Sequence, residues 1–88
     1  MPEPNNPVWI DMYSRPECHL CDEAKDVIER VRLRYPFALR VINIDEDPAL
    51  KAAYGTDIPV VLINGNKAFK HRVDQAELER KVKRLWKT

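Results

Sequence analysis

Tyr13-Ser14-Arg15-Pro16-Glu17-Cys18-His19-Leu20-Cys21-Asp22-Glu23-Ala24 is the stretch on which the reading of this chain turns. It holds both cysteines of the 88-residue sequence, with two residues between them. Just before it, Val8, Ile10 and Met12 alternate with Trp9, Asp11 and Tyr13, the period of a strand. Branched or aromatic residues fall on both faces, which points to a central strand covered on each side. Ser14 to Glu17 is read as a turn, because Pro16 cannot continue a ladder. From Cys18 to about Arg34 the period becomes helical. Leu20, Ala24, Val27, Ile28 and Val31 share one face, while Asp22 and Glu23 lie in the first turn, at the positive end of the dipole. Pro36 stops this helix. A C-x-x-C between a strand and a helix is the placement of a redox pair.

Working outward, Phe37 to Asp45 reads as a second strand, with Leu39 and Val41 on one face. A strand–helix–strand unit of this length implies parallel pairing by a right-handed crossover. Asp47 is the expected cap and Pro48 the first residue of a short helix that ends near Tyr54-Gly55. Ile58-Pro59-Val60-Val61-Leu62-Ile63 is a third strand. Asn64-Gly65-Asn66 is a tight-turn signal, and Lys67 to Lys70 returns as strand four of a hairpin. Asp74-Gln75-Ala76-Glu77 reads as a capping box ahead of a last helix, with Leu78, Val82, Leu85 and Trp86 as its packing face. The order β-α-β-α-β-β-α is α/β: a four-stranded mixed sheet with helices on both faces, the thioredoxin-like fold, with the Val8–Tyr13 strand inside the sheet. Residues 8–88 form one domain on this reading, and 1–7, rich in proline and asparagine, a flexible tail.

A formal net charge of +1 gives no footprint for nucleic acid or a membrane surface. No apolar run approaches the roughly 18 to 20 residues that span a bilayer. The first residues lack the basic-then-apolar order of a signal peptide. A cytoplasmic monomer is expected, and in a reducing cytosol a cysteine pair is more often catalytic or metal-binding than structural.

The nucleophile of thiol–disulfide exchange is a thiolate, which a helix amino terminus favours with free N–H groups and its dipole. Cys18 stands at that end as the attacking thiol, and Cys21, one turn on, as the resolving one. The competing reading of a C-x-x-C is half a zinc site, which wants four ligands. Only His19, between the cysteines, and His71, isolated in sequence, are available to complete one. Arg15, His19, Ile58 and Pro59 are the candidate substrate-binding residues. Arg15 either lowers the thiol pKa and holds a carboxylate or is a solvated surface cation. His19 either tunes the thiolate or stays apart from the chemistry. Pro59 either forms a cis peptide, leaving the Ile58 backbone to bond a substrate strand, or is a trans proline opening an edge strand. Asp11 either accepts a proton from Cys21 or reaches a neighbour near the strand end. The Arg80, Lys81, Lys83, Arg84 and Lys87 run is a solvated helix face.

At Tyr13 to Ala24 and Asp57-Ile58-Pro59-Val60 the chain resembles a glutaredoxin. It is most similar to the small glutaredoxin-like family that carries Cys-x-Leu-Cys-Asp-Glu-Ala, an Asp-Ile-Pro-Val loop and a late His-Arg-Val, here His71-Arg72-Val73. The resemblance covers Val8 to Leu85. It implies a thioredoxin fold, Cys18 as nucleophile, Cys21 as resolving thiol and Pro59 in cis. Arg15 matches a basic residue that contacts glutathione in typical glutaredoxins. The usual Cys-Pro-Tyr-Cys is Cys18-His19-Leu20-Cys21 here, and Val73-Asp74 replace a Gly-Gly pair that lets glutathione approach the backbone. No tightly bound cofactor is implied. Glutathione is a candidate reductant that Val73 argues against. The implied partners are a disulfide-bearing protein or a glutathione mixed disulfide, and a reductase that recycles the pair. Two other functions stay open: an adaptor that binds a partner strand at the Ile58-Pro59 groove, and a metal- or cluster-carrying protein.

Overall fold

Strand β1 (Trp9–Ser14) has hydrogen-bonded neighbours on both edges. A computed structural model describes residues 8–86 of the chain; the expected tail at 1–7 lies outside the described residues. On one side β1 runs parallel to β2 (Ala38–Asn43), with Trp9 opposite Ala38 and Ser14 opposite Asn43. On the other it runs antiparallel to β3 (Val60–Ile63), with Tyr13 opposite Val60. Strand β4 (Asn66–Lys70) pairs antiparallel with β3, so the order is β2-β1-β3-β4.

The alternation read from β1 sorts its side chains onto two faces. Val8, Ile10 and Met12 are buried with Ala24, Ile28 and Val31 of α1 (His19–Arg34) and with Leu78 and Val82 of α3 (Gln75–Leu85). Each large side chain buried here stabilises the fold by roughly 1.5–3 kcal/mol. Across the sheet, the Tyr13 ring meets Tyr54 of α2 (Pro48–Tyr54), with centroids 5.0 Å apart. Helices therefore cover both faces, as the element order implies. Arg34 and Glu79 also join α1 to α3 at 2.6 Å, but with an exposed guanidinium the pair contributes at most about 1 kcal/mol.

Several boundaries differ from the sequence reading for local reasons. The second strand is shorter than 37–45: Phe37 is buried ahead of it, and the Asn43 side chain accepts the Asp45 N–H at 2.9 Å, which coils Ile44–Glu46 into a 3₁₀ turn. Ile58 and Pro59 precede β3 rather than belonging to it. Asn64 and Gly65 both adopt positive φ, 51° and 86°, as a two-residue hairpin turn requires. The capping box forms by half: Asp74 accepts the Glu77 N–H at 2.9 Å, while the Glu77 carboxylate pairs forward with Arg80. Leu85, expected to pack, is exposed; Trp86 lies past the helix end and meets Tyr35 edge-on at 5.6 Å.

Burial, then the neighbouring Tyr54 and Asp11, raise the Tyr13 phenol above its ordinary 10.0. The fold thus favours the neutral phenol, a stabilisation present below that value and lost as pH rises through the raised one. Urea unfolding at a series of alkaline pH values should show the native protein losing stability more steeply than Tyr13→Phe. Parallel curves would mean that the phenol is not held this way.

Candidate functional site

The register of the sheet decides which loops meet. β1 ends at Ser14 beside Asn43, the end of β2. β3 begins at Val60 beside Tyr13, and β4 ends at Lys70 beside Val60. One edge of the sheet therefore gathers the turn carrying Cys18, the 3₁₀ turn after β2, the Ile58-Pro59 loop and His71. In open α/β sheets this is the end where ligands are held.

Cys18 caps α1. Its backbone is extended and its sulfur accepts the Cys21 N–H at 3.2 Å, while its carbonyl accepts the Asp22 N–H at 3.1 Å to begin the helix. The two cysteines are joined as a disulfide, with Cα atoms 5.1 Å apart, inside the usual span. Their exposure differs: Cys21 belongs to the buried core, whereas Cys18 packs against it half-exposed. Cys18 is therefore the more accessible of the two. The N–H that the Cys18 sulfur accepts is one of the orphan donors of the first turn, which favour negative charge. Among the described residues no group of three or more His, Cys, Asp or Glu side chains is placed to hold a metal ion.

The other named residues are positioned as follows. Arg15 sets its Nε 3.4 Å from the Asp45 carboxylate, two-thirds covered, with one Nη 3.6 Å from where a Cβ on Gly55 would stand. It pairs the turn before α1 with the 3₁₀ turn, although its Nε makes no hydrogen bond there. Gly55 itself has ordinary helical φ and is small for lack of room: a Cβ would lie 2.6 Å from the Lys51 carbonyl. The His19 side chain is 90 % exposed, with Nε2 3.4 Å from Glu23 one turn along. Ile58 packs on the same core cluster as Cys18 and Cys21, Pro59 is buried, and the peptide between them is cis.

Asp11 faces away from the redox pair. It alternates with Ile10 and Met12, which share the core with Cys21, and its carboxylate accepts from Arg40 Nε at 3.0 Å and Nη2 at 3.3 Å. Of the two readings of Asp11, the one in which it reaches a neighbour is the one observed.

Two residues gained importance only in three dimensions. Glu17, directly before Cys18, has φ 60°, and His71 has φ 67°. The His71 N–H donates to the Pro59 carbonyl at 2.8 Å and to that of Asp57 at 3.3 Å, so His71 is far in sequence and adjacent in space. Its sequence signal was the hairpin, whose register at Val60 depends on an irregularity between Val61 and Leu62.

A redox-type C-x-x-C at the amino terminus of a helix, beside a central strand of a four-stranded mixed sheet, defines a thioredoxin-fold protein. The chain belongs to the glutaredoxin-like domain family (DUF836), whose family model matches residues 9–83. It is 37% identical over 65 residues to a thioredoxin of Methanocaldococcus jannaschii, covering 70% of this chain and 76% of that one. It is 33% identical over 75 residues to a glutaredoxin-like protein of Dictyostelium discoideum, covering 78% and 69%. Its fold is similar to the solved structure of protein XcR50 from X. campestris, with TM-score 0.72 and 29% identity over 85% of this chain and 96% of that one. It is likewise similar to protein Ne2328 from Nitrosomonas europaea, with TM-score 0.76 and 25% identity over 92% and 98%.

A left-handed conformation costs a non-glycine residue about 1–2 kcal/mol. Glu17→Gly should therefore stabilise the oxidised protein by roughly 0.5–1 kcal/mol after the extra chain entropy of glycine is deducted. Chemical denaturation measures this, and a destabilised variant would contradict the left-handed backbone at Glu17.

Proposed function

We propose that the protein is a dithiol–disulfide oxidoreductase. The Cys18 thiolate attacks one sulfur of a substrate disulfide, forming a Cys18–substrate mixed disulfide and releasing the other substrate sulfur as a thiol. Cys21, deprotonated, then attacks the Cys18 sulfur. The Cys18–Cys21 disulfide forms and the second substrate sulfur leaves, so the substrate gains two electrons and the pair loses two. A cellular thiol or a flavoprotein reductase restores the dithiol. The observation that carries this reading is the asymmetry of the pair: Cys18 half-exposed at a helix amino terminus, Cys21 buried within bonding reach of it.

The backbone beside Ile58 supports the same reading, since an extended substrate can add to it as a strand. Val73, partly buried against the core, stands where glutathione-using relatives carry bare glycine, which favours a protein disulfide over glutathione as substrate. A reducing compartment such as the cytosol suits a pair that must be recycled. No helix among the described residues is long and apolar enough to cross a membrane.

Single-cysteine variants test the assignment. Cys21→Ser should stall as a mixed disulfide with a disulfide-bearing protein, released by dithiothreitol, and Cys18→Ser should form none. Equal trapping through Cys21 in the Cys18→Ser protein would reverse the roles, and no trapping in either would remove the activity.

A further inference from the structure

Beside the redox pair, α1 and the loop between β4 and α3 enclose a groove of about 290 Å³. Its floor is the apolar stripe Leu20, Ala24 and Val27; its opposite wall is formed by His71, Arg72 and Val73. The wall takes its direction from His71, left-handed and held by the Pro59 and Asp57 carbonyls. Val73 packs inward on the core, which leaves His71 and Arg72 exposed at the rim.

The charges around the groove are unequal in availability. Glu23 is 3.4 Å from His19, and Asp74 accepts the Glu77 N–H as the cap of α3. The Arg72 guanidinium has no ion pair and no side-chain hydrogen bond among the described residues. The groove therefore offers an apolar floor and an uncommitted cation. The floor begins at Leu20, between the two cysteines, and runs to Val27, a helical rise of about 10 Å. That is the length of roughly three residues of extended chain.

We propose that this groove binds the segment of a substrate protein that flanks its reactive cysteine, seating an apolar side chain on Leu20, Ala24 and Val27 and pairing an acidic side chain with Arg72. Arg72 is then a specificity-determining residue. The proposal rests on the exchange chemistry assigned to Cys18 and names the substrate class it serves: proteins whose reactive cysteine has apolar and acidic neighbours.

The test is a competition on the Cys21→Ser protein, where Cys18 carries one peptide as a mixed disulfide and a second peptide thiol displaces it. One peptide has leucine and aspartate on both sides of a single cysteine; the other has lysine for aspartate. Mass spectrometry reads the ratio of the two adducts at equilibrium. An exposed pair turned from attraction to repulsion should favour the aspartate peptide about three- to tenfold. Arg72→Glu, at a position with no partner to lose, should invert the preference, and high salt should flatten it. Comparing the two proteins cancels the intrinsic difference between the peptide thiols. Adducts that form with no preference, or with one that Arg72→Glu leaves unmoved, overturn the groove assignment while the exchange chemistry stands. Reduced glutathione displacing both peptides, with an advantage lost in Arg72→Glu, overturns it in favour of a small anionic thiol. Failure of Cys18 to form an adduct with any thiol removes the exchange reading, and the groove with it.

Discussion

The double pairing of β1 is the constraint from which the site follows. A strand bonded on both edges cannot slip without moving Val8, Ile10 and Met12 out of the core, so its register is fixed by burial. Its end at Ser14 is then fixed as well, and α1 must start within a few residues of it. The parallel neighbour β2 ends at that place and the antiparallel neighbour β3 begins there. The meeting of Cys18, Pro59 and His71 is a result of strand direction rather than of any attraction among them.

At that meeting point Arg15 has a carboxylate beside it, with its Nε 3.4 Å from Asp45. A cation with its own carboxylate partner projects little field onto a nearby sulfur, and solvent screens what remains. The Cys21 N–H, at 3.2 Å from the Cys18 sulfur, has no such competitor. Helix-end effects of this kind are typically worth about 0.3–1 kcal/mol and up to about 2 in partly buried geometries. We propose that the backbone at the start of α1 is the group that favours negative sulfur at Cys18.

Much of this was legible in the sequence because it is set by local chemistry. Asp47 and Asp74 cap the helices they precede, Asn64-Gly65 makes its turn, and the C-x-x-C falls at the strand–helix junction. What could not be read depends on partners distant in the chain. Asp11 left two readings open, proton acceptor or contact with a neighbour, and Arg40 on the next strand decides for the second. His71 looked isolated because its neighbours, Asp57 and Pro59, are reached through a hairpin whose register shifts midway. Leu85 fits the helical stripe by spacing, yet it falls in the last turn and lies exposed.

We propose that, once the pair is reduced, the amino terminus of α1 favours Cys18 as a thiolate. Ultraviolet thiolate absorbance of the reduced Cys21→Ser protein near pH 7, read against Cys18→Ser, tests it most directly. A thiolate fraction several-fold above that of an ordinary cysteine is the expected result, as about 1–2 kcal/mol of helix-end stabilisation would give. A signal of only the few per cent that an ordinary cysteine shows at that pH would contradict it.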